Sequence, residues 1–173
     1  MDKQTDTAEA AGQQGRAYKL SPGEGTALWF TNALVMVKTG GPETRQRLTV
    51  VEILHPPGYA PPMHRHLVED ESFYIISGTP LFESNGERFI VEQGDFVFLP
   101  QGSTHSFLAG TQEPFRCLVI TVPAGFETFA AEAGEPAARR ELPEPKPIDG
   151  QELASIAARH NIEIVGPPIA LES

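Results

Sequence analysis

Three histidines and one glutamate are spaced so that they could bind a single metal ion. His64 and His66 stand two residues apart in the stretch PMHRHLVEDESFYIISG. On a β-strand, residues i and i+2 point to the same face, so both imidazoles can converge on one ion. Glu71 opens the apolar run that follows, and His105 stands at the start of a later one, THSFLAG. Antiparallel pairing could bring His105 opposite the first two histidines.

Imidazole and carboxylate ligands suit several transition metals. Three imidazoles and a carboxylate could bind Ni, Fe, Mn, Co, Cu or Zn, because donor type alone does not select among them. Such a set leaves one or two positions open for water, O2 or substrate. Glu69 and Asp70 adjoin Glu71, and at this point any of the three carboxylates could be the ligand. We therefore predict one divalent transition metal per chain.

The composition limits the class of partner. The chain has 173 residues, about one domain, and a formal net charge of −10. Nucleic acids and anionic membranes both require a basic face, so neither is expected as a partner. No apolar run approaches the roughly 18 residues of a membrane span, and residues 1–15 lack the apolar core of a signal peptide. A cytoplasmic location is therefore the default expectation. Cys117, the only cysteine, is expected to be a buried apolar residue.

Short strand-like segments follow one another with little helix between them. They are residues 27–40, 46–54, 72–78, 79–84, 87–92, 95–100, 104–110 and 114–122. Asn85-Gly86 predicts a type I′ hairpin turn, because both central residues of that turn need positive φ. Many short strands punctuated by Gly, Pro and Asn indicate an all-β sandwich or barrel.

The pattern divides the chain into three parts. We expect residues 1–16 to be disordered, residues 17–123 to form the β-domain, and residues 124–173 to form an extension that packs on it. The extension is predicted to contain short helices over 125–134 and 149–161. Asp149 caps the second helix, and the Gly-Pro-Pro sequence near its end is expected to stop regular structure.

The spacing of glycines around the histidines resembles a known pair of motifs. The first stretch runs from Gly58 through His64, His66 and Glu71 to Gly78 with intervals of five, one, four and six residues. The second runs through Gly94, Pro100, Gly102 and His105 with intervals of five, one and two. Together they resemble the paired motifs of the cupin superfamily. The second motif departs at Ala109, where the family often has asparagine.

This resemblance implies a double-stranded β-helix, the jelly-roll barrel of the cupins, with a short C-terminal helical extension. It also implies that His64, His66, Glu71 and His105 are the metal ligands. Glu71 is preferred over Glu69 and Asp70 because it stands at the family spacing and begins a strand.

Residue parity and the single-cupin layout indicate a substrate. Strand alternation turns Phe73, Ile75 and Phe107 inward with the ligands, and Met63 adjoins the first histidine. An apolar pocket of this kind suits a flat aromatic molecule better than a sugar phosphate. The motifs and C-terminal tail resemble bacterial quercetinase-like cupins, which implies cleavage of a flavonol by O2. Glu71 would then also be the general base, with a pKa raised by burial.

Two other classes of function remain open at this stage. One is a different metal cupin enzyme, such as a polyketide cyclase, isomerase or hydroxylase. The other is a non-catalytic cupin that binds a small molecule. By resemblance we also expect a homodimer, with ALWFTNALVMV (residues 27–37) as a candidate pairing segment.

Overall fold

The fold was analysed in a computed structural model, which describes residues 15–170. Twelve strands in this range form two antiparallel sheets. The seven-stranded sheet has the order β11-β1-β2-β3-β10-β5-β8. Its strands are β1 (Thr26–Phe30), β2 (Ala33–Thr39), β3 (Thr49–His55), β5 (Asp70–Ser77), β8 (Phe96–Leu99), β10 (Phe115–Val122) and β11 (Glu135–Pro136).

The second sheet has five strands in the order β12-β4-β9-β6-β7. They are β4 (Pro62–His66), β6 (Leu81–Ser84), β7 (Glu87–Ile90), β9 (His105–Leu108) and β12 (Ile162–Pro168). Inward residues of both sheets meet in one apolar core, in which Ile75, Phe115 and Cys117 are fully buried. The predicted all-β jelly roll and the buried cysteine are therefore confirmed.

Two hairpin turns illustrate how far local sequence predicts the chain path. Asn85 and Gly86 have φ of 49° and 85° and join β6 to β7, as the Asn-Gly pair predicts. Residues 27–40, which read as one apolar segment, are instead a hairpin. Thr31 and Asn32, with φ of 47° and 70°, make its turn between β1 and β2. Threonine is an uncommon residue in this conformation, so the sequence gives little warning of the turn.

Three helices accompany the sheets: α1 (Gly41–Thr44), α2 (Phe126–Ala133) and α3 (Gly150–Arg159). The last two coincide with the helices that the sequence predicts. Asp149 caps α3 as expected, because its side chain accepts hydrogen bonds from the backbone N–H groups of Gln151 (2.9 Å) and Glu152 (3.1 Å). The four-residue α1 is too short to give a periodic signal.

The end of the chain differs from expectation. The segment around Val165-Gly166-Pro167-Pro168 does not stop regular structure but lies in β12, which pairs with β4. Gly166 and Pro168 fall at shifts in the register, where the ladder is irregular. Proline is tolerated there because β12 is an edge strand and its solvent side needs no donor. The barrel therefore includes residues beyond the predicted boundary at 123.

Two expectations about the termini and the assembly fall outside these observations. Residues 1–14 lie outside the described residues, so their predicted disorder stays a prediction, as does the homodimer. Within residues 15–170, no helix is both long and apolar enough to cross a membrane.

The packing of β12 can be tested by substitution. Ile162 is 3% exposed and its strand pairs with β4, whereas the neighbouring Glu163 makes only a half-exposed ion pair with Arg65. We expect Ile162→Ala to lower the free energy of unfolding by about 2 kcal/mol or more. Glu163→Ala, the matched control, should cost less than about 1 kcal/mol. Urea unfolding measures both, and equal losses would contradict a packed β12.

Candidate metal centre

The strand pairing brings the four predicted ligands together. His64 and His66 share one face of β4, and Glu71 is the second residue of β5. His105 begins β9 and is the direct partner of His64 in the β4–β9 ladder. One ligand atom from each of these residues lies within 4.8 Å of the other three. The donors therefore come from both sheets and are close enough to surround one ion.

Each histidine is oriented through its Nδ1 atom. His64 Nδ1 lies 2.8 Å from the carbonyl oxygen of Pro62, and His105 Nδ1 lies 3.0 Å from that of Ser103. His66 Nδ1 lies 2.6 Å from Oε2 of Glu69. Carbonyl and carboxylate oxygens accept, so each Nδ1 donates a proton, and a ring in its neutral form can offer the lone pair of Nε2 to a metal. This is the usual arrangement of a histidine that binds a metal through Nε2.

The free lone pairs face a carboxylate. Nε2 of His105 lies 3.0 Å from Oε2 of Glu71, and Nε2 of His66 lies 3.6 Å from the same oxygen. Oε2 of Glu71 and Nε2 of His105 are buried and have no hydrogen-bond partner among the described residues. Two acceptors at 3.0 Å repel each other unless a cation or a proton lies between them. The donor set therefore fits a divalent metal.

Burial and neighbouring charge set the pKa values of these groups. Burial, together with His105 and His66, lowers the pKa of His64 to about 3 although Glu71 opposes this shift, so the ring is neutral. Burial lowers the pKa of His66, but Glu71 and Glu69 outweigh this effect and raise it overall. Burial raises the pKa of Glu71 as expected, yet His66, His105 and His64 bring it down to about 2. The expected raised pKa is therefore wrong, and Glu71 is ionised at neutral pH.

The two rival carboxylates have other partners. Glu69 is 3% exposed and holds His66 through the bond to Nδ1. Its other oxygen lies against Gly125, where a Cβ atom would come within 2.6 Å of it. Asp70 accepts a hydrogen bond of 2.8 Å from the backbone N–H of Gln101. Of the three carboxylates, only Glu71 belongs to the group of four ligands.

The loop before β9 fixes His105. Ser103, whose carbonyl accepts from His105, is held by bonds from its own N–H and hydroxyl to the carbonyl of Pro100. Gly102 has φ of 81° and donates its N–H to the carbonyl of His66 at 2.8 Å. This left-handed conformation favours glycine. The Pro and Gly of the second motif thus tie the two histidine-bearing strands together.

An apolar cavity opens beside the four ligands. Its space is about 710 Å³, which includes the part that opens to solvent. Phe73 and Phe107 line it, as the strand parity predicts. Ile75 and Met63 are not among its lining residues: Ile75 is fully buried in the core, and Met63 lies against Gly166 of β12. Among the described residues, no lysine or arginine lines the cavity.

Several lining residues escaped the sequence analysis. Helices α2 and α3 contribute Phe126, Phe129, Leu153 and Ala157, and β12 contributes Ile162 and Ile164. His55, which directly precedes Pro56 and Pro57 in the sequence, is the last residue of β3, is 5% exposed and lines the cavity. The apolar face of α3 predicts that this side of the helix is buried, but it does not predict that the face lines a cavity.

Comparison with known proteins agrees with this architecture. Residues 50–121 match the family described as Cupin domain. Quercetin 2,3-dioxygenase of Bacillus subtilis is 27% identical over 119 residues, which are 69% of this chain and 35% of that protein. An oxalate-binding protein of Thermotoga maritima is 37% identical over 67 residues, 38% of this chain and 55% of that protein. The chain thus spans about a third of the length of the first relative and about half of the length of the second.

A solved structure supports the same fold. A predicted oxalate decarboxylase of Thermotoga maritima superposes with a TM-score of 0.56 and 21% identity, covering 61% of this chain and 99% of that one. At this identity the likeness bears on the fold alone. The match of residues 50–121 to the Cupin domain family, the jelly roll and the meeting of the motif residues at β4, β5 and β9 agree, so this segment of the chain is similar to the cupins in both sequence and fold.

Proposed function

We propose that the chain is a metal-dependent dioxygenase that cleaves a flavonol or a related phenolic substrate with O2. The observation that carries this proposal is a buried group of three histidines and one glutamate at the wall of an apolar, aromatic cavity that no described lysine or arginine lines. The similarity to the quercetin dioxygenase of Bacillus subtilis supports the same choice. The ligands proposed are His64, His66, Glu71 and His105, with Ni, Fe, Mn, Co, Cu or Zn as the metal.

Glu71 is proposed to act as ligand and as base. A bound divalent metal would act as a Lewis acid and make the substrate hydroxyl more acidic. The carboxylate of Glu71 is ionised, and its Oε2 has no hydrogen-bond partner among the described residues. It can therefore accept the hydroxyl proton within the cavity.

The aromatic wall is proposed to orient the substrate. The rings of Phe73 and Phe107 are 6.0 Å apart and meet edge to face, and both line the cavity. Such rings bury a flat aromatic molecule and exclude water from the reacting oxygen. Neither Met63 nor Ile75 is retained as a substrate contact, because neither lines the cavity.

The second candidate is another metal cupin enzyme, or a non-catalytic cupin that binds a small molecule. The 37% identity to an oxalate-binding protein favours this class. For oxalate itself, only the metal could balance the charge of the dianion, since no lysine or arginine is among the described lining residues. A cyclase or isomerase would use the same ligands without consuming O2, whereas a hydroxylase would consume O2 without releasing carbon monoxide.

The proposed ligand set can be tested by metal analysis. We expect the purified chain to bind one divalent transition metal, measured by elemental analysis and calorimetric titration. His105→Asn should lower metal affinity by at least about 100-fold, because it removes a ligand. His160→Asn is the matched control, since His160 lies beside Glu132 on the outer helices. Full metal binding by His105→Asn would contradict the assignment.

The role of Glu69 gives a separate prediction. Glu69→Gln keeps an acceptor for His66 Nδ1 but removes the negative charge behind it. Loss of such an outer partner typically lowers metal affinity by about 10- to 100-fold. We expect a loss of about 10-fold in calorimetric titration. Asp70→Asn, which keeps an acceptor for Gln101, should leave affinity unchanged. Equal affinity for both variants would mean that Glu69 has no such role.

Oxygen uptake tests the reaction. With anaerobically loaded protein and a panel of flavonols, we expect O2 consumption together with release of carbon monoxide. Glu71→Gln should keep the fold but reduce turnover by at least about 100-fold, since it removes the base. Metal content, measured in parallel, separates a lost base from a lost ligand. If no flavonol supports O2 uptake with any of the six metals, the dioxygenase proposal fails.

A further inference from the structure

One polar side chain of the cavity has no role in the metal centre. His55 ends β3, is 5% exposed and lines the cavity without belonging to the group of four ligands. Its ring lies between those of Tyr59 and Phe115, stacked at 4.9 Å and 5.3 Å, and meets the ring of Phe107 at 4.8 Å. Three aromatic neighbours therefore fix the position of the imidazole.

Both nitrogens of this ring are unsatisfied. Nδ1 and Nε2 of His55 are buried and have no hydrogen-bond partner within residues 15–170. The nearby hydroxyl of Tyr59, by contrast, bonds to that of Thr31 at 2.8 Å. A buried polar group without a partner is costly, and proteins retain such groups mainly where they serve a function. The position of His55 on the cavity wall suggests that its partner is a ligand.

The ring lies close to the proposed reaction site. Phe107, which contacts His55, is two residues from His105 on β9 and shares its face. Residues two apart on a strand are separated by roughly 7 Å. His55 is thus one aromatic layer from the metal ligands, so one small molecule could reach both.

The surroundings of His55 define the chemistry of its partner. Burial lowers its pKa to about 3, although Glu71 opposes this shift, so the ring is neutral at physiological pH. A neutral imidazole offers one N–H donor and one acceptor. With no lysine or arginine among the described lining residues, a charged group here would lack compensation. A neutral hydroxyl or carbonyl group meets these requirements.

We propose that His55 is a substrate-binding residue that forms a hydrogen bond with a neutral hydroxyl or carbonyl group of an aromatic substrate, one ring layer away from the metal. The inference rests on the proposed function and deepens it. The preferred substrate carries two polar groups: one oxygen for the metal centre and a second, uncharged group for His55. A small dianion or an aromatic compound with one polar group would leave His55 without a partner.

The test uses the full chain loaded with metal and kept free of O2. His55→Phe keeps an aromatic ring between Tyr59 and Phe115 but removes both nitrogens, whereas His55→Gln keeps a neutral donor and acceptor. His55→Leu provides a smaller apolar variant. Quercetin, which carries hydroxyls on all its rings, and 3-hydroxyflavone, which keeps only the hydroxyl beside the carbonyl, are the probes. Binding is measured by absorbance titration, with metal content and melting temperature as folding controls.

We expect both apolar variants to bind quercetin at least about 10-fold more weakly than the unaltered chain, because a hydroxyl loses its buried partner. His55→Gln should recover part of this affinity. Binding of 3-hydroxyflavone should change less than about 3-fold, and metal content should not change. Quercetin affinity that is equal in His55→Phe and the unaltered chain overturns the inference, as does an equal loss for both probes.

The outcomes also separate this inference from the dioxygenase proposal. If quercetin binding depends on His55 but O2 is not consumed, the inference stands and the reaction is wrong. If O2 is consumed and His55→Phe binds quercetin normally, the reaction stands and the inference is wrong. If the unaltered chain binds neither probe, both are wrong.

Discussion

The site depends on one electrostatic constraint: the lone pairs of histidine Nε2 atoms converge on a buried carboxylate. Nε2 of His105 lies 3.0 Å from Oε2 of Glu71, and Nδ1 of His105 donates to the carbonyl of Ser103, so in the neutral ring only a cation or a further proton can join the two atoms. Water cannot screen this contact, because both groups are buried. A cation relieves the repulsion, so these contacts favour the binding of a metal.

The rest of the barrel holds this arrangement in place. His64 and His66 lie on β4, between β9 and β12, while Glu71 enters from the other sheet. The backbone bond from Gly102 to His66 and the carboxylate of Glu69 fix the second histidine from two sides. Glu69 in turn occupies space that only a glycine at position 125 leaves open. Helix α2, which starts beside that glycine, thus connects the metal centre to the cavity wall.

The cavity separates two kinds of polar group. The proposed metal ligands are acceptors that converge where a cation would bind. His55, by contrast, is neutral, and its two nitrogens are proposed to form a hydrogen bond with a neutral group of the substrate. An aromatic ring lies between the two kinds of polar group: Phe107 contacts His55 and stands two residues from His105 on β9. An apolar molecule with one polar group would use only one of these features. The arrangement favours ligands that present two oxygens at a fixed separation.

The sequence by itself predicted the jelly roll, because strand alternation and the Asn-Gly turn are local properties. It also predicted the four residues that the fold brings together, although the choice of Glu71 over Glu69 and Asp70 came from the resemblance of the two motifs to those of cupins. Helices α2 and α3 were also predicted, because the sequence patterns that indicate a helix are local. Tertiary structure alone decided the pairing of β12 with β4, the Thr31-Asn32 hairpin, the place of His55 in the cavity and the low pKa of Glu71. Each of these depends on contacts between residues far apart in the chain. Local patterning predicts which face a side chain takes, but only the folded barrel determines which groups it meets there.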